Sequence, residues 1–263
     1  RGSSVRAVGV LVLVVVFLSG LARVSPAAAT HVTRSASFDL AAGTFTSTFS
    51  TSNGVILDQV TDDFSSNPFT STWERIDATH ITWDGALVNV GKTTGDLDHS
   101  GGFLRTVATG SLTEADSFTM SFTLRPVGEY AGAGGTGTYI IGMGRTNSPA
   151  SGTTNDFAGI LSTVSLNGNC MSVRARINHD TGNTAGTESA CSLVYGTSYS
   201  GRITYSANVL EVSIGTLTSS ITVTTQTFQI QRPIVFLEGA LIDTFQFSVD
   251  DMRTTAAVSG SWE

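Results

Sequence analysis

The groups most able to do chemistry in this chain are carboxylates gathered near two distant points. Asp62 and Asp63 stand in Thr61-Asp-Asp-Phe64, and Asp250 and Asp251 in Val249-Asp-Asp-Met252. Four carboxylates brought together repel one another unless a cation or another partner intervenes. Asp63 and Asp250, each beside an alternating segment, are therefore the first candidate ligands for a structural calcium ion. Asp96-Leu-Asp98-His-Ser100-Gly101 sets oxygen side chains at alternate positions before a glycine, like the opening half of a calcium loop. The twelfth position would be Val107, where an EF-hand needs a bidentate Glu. Asp96 and Asp98 are thus ligands of a looser site completed by carbonyl groups, or members of a solvated turn. Sugar chemistry is the other option, because a sugar ring offers C–H faces to an aromatic ring and hydroxyls to polar side chains. Trp83, Tyr130, Tyr139, Tyr195 and Tyr199 supply rings, and Arg145, Asn147, Asn155 and Asp156 supply polar groups in or near loops. Each ring taken alone reads more readily as core than as platform. Tyr130 is the best platform, since the glycine-rich Gly128–Gly137 loop around it offers nothing to bury it.

The elements that must position these residues are strands. Phe118, Met120, Phe122 and Leu124 alternate with Ser and Thr, as do Phe45, Ser47 and Phe49 with Thr44, Thr46 and Thr48. Period-two alternation marks half-buried strands. Ile203 and Tyr205, then Leu210, Val212 and Ile214, form two more runs, with Ser206-Ala-Asn208 between them as a hairpin turn. Tyr139–Met143, Gly159–Leu161, Ile234–Leu237 and Phe245–Phe247 complete the set. Beyond the first thirty or so residues no segment has the pattern of a three-turn amphipathic helix. Many short strands separated by turn signals predict an all-β antiparallel sandwich or jelly roll.

Composition excludes several function classes. The chain has 263 residues, 40% hydrophobic and only 13% charged, with a formal net charge of −7 and no basic run. Nucleic acid is therefore not an expected partner. The four histidines, His31, His80, His99 and His179, show no zinc-type spacing and read as surface or rim residues. There is no Gly-x-Ser-x-Gly elbow, and Gly85–Thr93 misses phosphate-loop spacing by one residue. Arg1 and Arg6, the apolar run Val8–Leu21 and Ser25-Pro-Ala-Ala-Ala29 follow the order of an export signal. The run is short of the ~20 residues of a membrane span; an uncleaved anchor is the alternative, and membrane contact is expected only through this segment. Export agrees with the two cysteines. Cys170 and Cys191 flank Asn178-His-Asp-Thr-Gly-Asn183, a turn sequence about which a hairpin would set them opposite each other for a disulfide.

Asp62-Asp-Phe64, Trp73, then Trp83-Asp-Gly-Ala-Leu87 leading into a strand, answered by Phe245-Gln-Phe-Ser-Val-Asp-Asp-Met252, resembles the concanavalin A-like superfamily. That superfamily covers laminin-G-like modules, lectins and glucanases, and the resemblance spans roughly Asp62 to Thr254. It implies a jelly-roll sandwich whose first and last strands lie side by side, Trp73 against the inner sheet, and often a structural calcium. Glucanases of this fold carry an alternating-acid strand; Glu114-Ala-Asp116 echoes it without a third acid and precedes a strand rather than lying in one. Glu74, Glu129, Glu188, Glu211 and Glu238 are scattered, whereas glycoside hydrolysis needs two carboxyls at a fixed separation.

The expected organisation is an export signal over 1–29, a Thr/Ser-rich extension or extra strand pair over 30–60, the sandwich over 61–256 and a tail over 257–263. The absence of an initiator Met and the abrupt end at Trp262-Glu263 read as a piece of a longer frame. The expected function is a secreted or surface-displayed, non-catalytic module that binds polysaccharide or cell-surface glycan through the Gly128–Gly137 and Asn147–Asn155 loops. The alternatives are a glycoside hydrolase or polysaccharide lyase of the same fold, and a self-associating extracellular subunit in which Ser37–Ser50 adds to a neighbour's sheet edge.

Overall fold

The computed structural model describes residues 34–39, 44–49, 55–76, 80–92, 101–105, 112–131, 136–145, 156–165, 170–179, 182–224, 227–239 and 244–258. Among these residues there is no α-helix; the chain forms two stacked antiparallel sheets and a separate hairpin. The hairpin pairs β1 (Arg34–Asp39) with β2 (Thr44–Phe49). The 30–60 stretch therefore holds an extra strand pair, and its last residues already belong to the sandwich.

The eight-stranded sheet contains β3 (Val55–Asp62), β5 (Ile81–Trp83), β6 (Val88–Lys92), β8 (Ser117–Ala131), β15 (Tyr199–Ser206), β16 (Val209–Ile214), β17 (Leu217–Thr222) and β19 (Thr244–Val258). The nine-stranded sheet contains β4 (Trp73–Ile76), β7 (Gly101–Arg105), β9 (Thr136–Gly144), β10 (Phe157–Ser165), β11 (Cys170–Met171), β12 (Ala175–His179), β13 (Gly182–Ala185), β14 (Leu193–Val194) and β18 (Arg232–Gly239). The spatial orders are β17-β16-β15-β8-β19-β6-β5 and β13-β12-β10-β9-β18-β7-β4. This is the concanavalin A-like jelly-roll sandwich.

β19 organises the first sheet. One edge pairs with β8, while the other pairs with β6 from Phe245 to Val249 and then with β3 from Met252 to Val258. First and last strands of the sandwich are thus neighbours, as the superfamily resemblance implies. The change of partner falls at Asp250–Asp251, where the β8 ladder is bulged and Asp251 takes φ 49°. On the opposing side β3 ends at Asp62, and the chain turns through Phe64 at φ 50°.

The two sheets meet water differently. In β8 and β15–β17 the buried residues Phe118, Met120, Phe122, Leu124, Ile203, Tyr205, Leu210, Val212 and Ile214 alternate with partly or fully exposed ones. The outer face of this sheet is therefore solvated. β15 and β16 meet at a two-residue turn, Ala207-Asn208, with φ 50° and 65°, the left-handed pair that a tight hairpin requires.

The central strands of the nine-stranded sheet are buried on both faces. Tyr139, Ile141 and Met143 point into the main core, whereas Ile140, Phe157, Ile234 and Phe236 form a second apolar cluster on the other side. Two-sided burial explains why Tyr139–Met143 and Ile234–Leu237 are continuous apolar runs rather than alternating ones. Gly142 and Gly159 face each other across β9 and β10. A Cβ on Gly159 would lie 2.4 Å from the Ile141 carbonyl oxygen and 2.9 Å from the Phe157 ring, so the glycine pair is the slot in which that ring rests. Gly159→Val is expected to destabilise the fold by about 1–3 kcal/mol through overpacking, measured by chemical denaturation.

Candidate functional site

The Asp-Asp-Phe signature is a structural corner. The Asp62 carboxylate accepts from the Phe64 amide at 2.8 Å and from the Trp73 indole N–H at 2.8 Å. The Trp83 indole N–H donates to the Phe64 carbonyl at 2.8 Å. Phe64, Trp73 and Phe103 pack edge to face with centroids 5.3–6.2 Å apart. Trp73 lies in the core, as expected, and Trp83 is a half-buried clamp on the corner rather than an open sugar platform.

The proposed calcium ligands have local partners. Exposed Asp63 accepts from the Ser65 amide at 3.1 Å and its hydroxyl at 2.7 Å, and these bonds hold its carboxyl below the usual carboxylate range. Asp250 accepts from the Asp251 amide at 2.8 Å. Partial burial pushes its carboxyl up, and so do the nearby charges of Asp251, Asp63 and Asp62, so the two acidic pairs do approach one another. Among the described residues no group of three or more His, Cys, Asp or Glu side chains is arranged to hold a metal ion. Asp62, Asp63 and Asp250 each accept hydrogen bonds from neighbouring protein donors. Asp96 and Asp98 lie outside the described residues.

Of the expected glycan-binding residues, the structure brings Arg145 and Asp156 together. Their side chains approach to 3.8 Å, Arg145 about half exposed and Asp156 only 8% exposed. The Asp156 carboxylate also accepts from the Gln229 amide at 2.7 Å, so it pegs the chain before β18 as well as facing a cleft of about 330 Å³ shared with Glu114 and Phe228. Tyr139 requires correction. It is fully buried, its ring edge-on to Phe247 and its hydroxyl donating to the Ser172 carbonyl. Burial and the charge of Glu188 drive its hydroxyl pKa far above normal, so it is an interior hydrogen-bond donor and no surface platform. Asn147, Asn155 and the Tyr130 side chain lie outside what the structure describes. His179, expected at a rim, is buried. Glu114-Ala-Asp116 is a turn: Asp116 accepts from the Thr113 amide and hydroxyl, and the Glu114 carbonyl accepts from Tyr205.

A second cleft falls where no loop signal pointed. It measures about 620 Å³ and lies along β15–β17, lined by Arg202, Thr204, Glu211, Ser213, Thr218 and Ser220 with Thr187–Ser189 as its rim. These residues are the solvent-facing positions of three alternating strands, so their pattern was visible; their convergence depended on strand register. Arg202 Nε donates to the Thr204 hydroxyl at 3.2 Å. Among the described residues, the cleft lining has one guanidinium, two carboxylates and hydroxyls, and no aromatic ring.

A strap over 186–192 forms the rim. It follows β13 and hydrogen bonds along 171–175: Gly186 N to Ala175 O, Ser189 N to Val173 O and Ser192 N to Met171 O, at 2.9, 2.9 and 3.2 Å. The buried Ser219 hydroxyl accepts from the Ala175 amide and donates to the Thr187 carbonyl, tying β17 to the strap. The Glu188 carboxylate reaches over β10 and β11 to accept from the hydroxyls of Ser162 and Ser172 and from the Thr163 amide. Arg174 lies 3.7 Å from its other oxygen. Cys170 and Cys191 close the strap's far end with a disulfide whose Cα atoms are 5.4 Å apart. The β12–β13 hairpin turns where the sequence predicts, yet Cys170 is opposite Val194 in the ladder, so the bridge spans an irregular return rather than a continuous hairpin.

No known family model matches the chain, and no curated protein matches it. Solved structures share its fold. The carbohydrate recognition domain of Emp47p aligns with TM-score 0.52 and 15% identity over 80% of this chain and 99% of that one. The CBM2 module of an evolved Dit protein from Lactobacillus casei BL23 phage J-1 aligns with TM-score 0.54 and 9% identity over 80% and 99%. The family 7 alginate lyase A1-II' aligns with TM-score 0.52 and 9% identity over 77% and 100%. At these identities the likeness establishes the concanavalin A-like fold.

Two predictions concern the rim. Partial burial pushes Glu188 up, but its hydrogen bonds and Arg174 outweigh that and hold its carboxyl below the usual range. A folded-state pKa below the unfolded one contributes stability above the unfolded value, which is lost as pH falls through the folded value. Glu188→Gln should lower Tm near neutral pH, and the deficit against the unaltered chain should shrink as pH drops below about 4. Replacing both cysteines by serine should cost about 3 kcal/mol for a separation of 21 residues, read from denaturation midpoints.

Proposed function

We propose that this chain is an extracytoplasmic, non-catalytic β-sandwich that binds polysaccharide or cell-surface glycan. The carrying observation is the hydroxyl-lined cleft on β15–β17, roughly 620 Å³, a volume within the ordinary range of small-ligand sites. Serine and threonine hydroxyls both donate and accept, as sugar hydroxyls do, and Arg202 and Glu211 add a charged donor and a charged acceptor. Support comes also from structural neighbours whose names give a carbohydrate recognition domain and a CBM2 module. The disulfide favours an oxidising compartment. Among the described residues no helix is long and apolar enough to cross a membrane.

The reading is tested on a polysaccharide and glycan array with the unaltered chain and with Arg202→Ala/Glu211→Ala. Binding is expected from the first, with roughly tenfold or greater weakening in the double variant. Silence across the array would remove the glycan reading. Running the array with calcium and with chelator tests the calcium role assigned to Asp63, Asp96, Asp98 and Asp250: loss on chelation supports it, and indifference removes it.

A further inference from the structure

The cleft is one end of a longer pattern. Ladder partners in adjacent strands point to the same side, so the registers of β19, β8, β15, β16 and β17 set outward side chains in rows across the sheet. One row runs Arg253, Ser121, Arg202, Ser213, Thr218, and the next runs Thr255, Thr119, Thr204, Glu211, Ser220. Seven of these ten side chains are serine or threonine, and all ten lie on the solvated face. Neighbours within a row are separated by the strand spacing of ~4.8 Å, and the rows by two residues of rise, ~6.8 Å.

We infer that these two rows bind a single extended, neutral polysaccharide chain lying across the strands, its two hydroxyl-bearing edges on the two rows. The inference rests on the glycan-binding reading and names its ligand class. One strand spacing is ~4.8 Å, comparable to the length of one sugar in an extended pyranose chain. Each strand crossed therefore meets about one sugar, and a ribbon-shaped chain bonds to both rows at once. The absence of an aromatic ring from the rows assigns recognition to hydroxyl pairing along the ribbon edges rather than to stacking on a ring face. Neutrality follows from the balance of charge. Arg202 shares the cleft with Glu211, and the rim carboxylate of Glu188 already faces Arg174, so among the described residues the cleft offers no cluster of cations to match a carboxylate on every sugar, while the chain's net charge of −7 opposes a polyanion. Arg202 has a hydroxyl partner in Thr204 beside it, and Glu211 stands across the ladder from Thr204, which leaves the cleft without a concentrated positive patch. The right-handed twist of the sheet turns the rows, so a chain of about three sugars fits the cleft over β15–β17 and a longer one must coil to reach β19.

The test uses the full chain and affinity electrophoresis against two sets of polymers: neutral β-glucan, xyloglucan and glucomannan, and the uronic polymers alginate and polygalacturonate. Retardation is expected with at least one neutral polymer and not with the uronic ones. Thr204→Val/Ser213→Val, both outward on a strand and each removing a hydroxyl, should leave Tm within a few degrees and weaken neutral binding about tenfold. Glu211→Gln should not confer alginate binding comparable to neutral binding. Uronic binding as strong as neutral binding, or neutral binding unaffected by the valine pair, would overturn the inference while leaving glycan binding intact. Absence of binding to any polymer would overturn both.

Discussion

The Asp62 carboxylate is the joint on which the sandwich turns. It accepts one bond from its own turn and one from the Trp73 indole, fixing where β3 stops and how β4 leaves toward the other sheet. Because β3 stops there, the same edge of β19 from Phe245 to Val249, before Asp250, is released to pair with β6. One strand can then serve two partners on a single edge, and the sheet gains width without an additional connection across its face. Phe64 fills the corner from inside and Trp83 holds its carbonyl from the half-buried side, so residues distant in sequence act as one joint. The acidic character of the signature serves hydrogen bonding at this corner.

Solvation divides the two sheets by role. A strand buried on both faces can carry polar side chains only at a desolvation cost, and the nine-stranded sheet accordingly places Ile140, Phe157, Ile234 and Phe236 where an exposed sheet would place polar groups. Its polar exceptions find partners: the Tyr139 hydroxyl donates to the Ser172 carbonyl, and the hydroxyls of Ser162 and Ser172 both donate to Glu188. The eight-stranded sheet keeps one face in water, and it is there that a regular arrangement of donors and acceptors survives for use.

The fold was legible because alternation is a strong signal wherever one face is wet. Phe118–Leu124 and the Ile203–Ile214 hairpin announced both the strands and the facing of every residue in them. The disulfide was legible from the turn between its cysteines, although the ladder does not continue to them. Continuous runs were less informative, since Tyr139 is followed directly by Ile140 and Ile141, with no alternation to mark which way each residue faces. The cleft was not legible as a site. Its residues come from ordinary positions on three strands and the rim from a fourth segment, and only register makes Arg202, Ser213 and Thr218 neighbours. Local composition directed attention to glycine-rich loops, whereas the convergent polar groups stand on rigid strands.

The pairing of β3 with β19 has a mechanical side. The first residue of one strand, Val55, is laddered to the last residue of the other, Val258. Tension applied between these two points meets the hydrogen bonds in series, one pair at a time, as a zip is opened, rather than all together in shear. A sandwich joined in this way yields at its seam under a pull along the chain, while the β8–β19 ladder beneath it, bonded along most of two fifteen-residue strands, becomes the next element to bear the load.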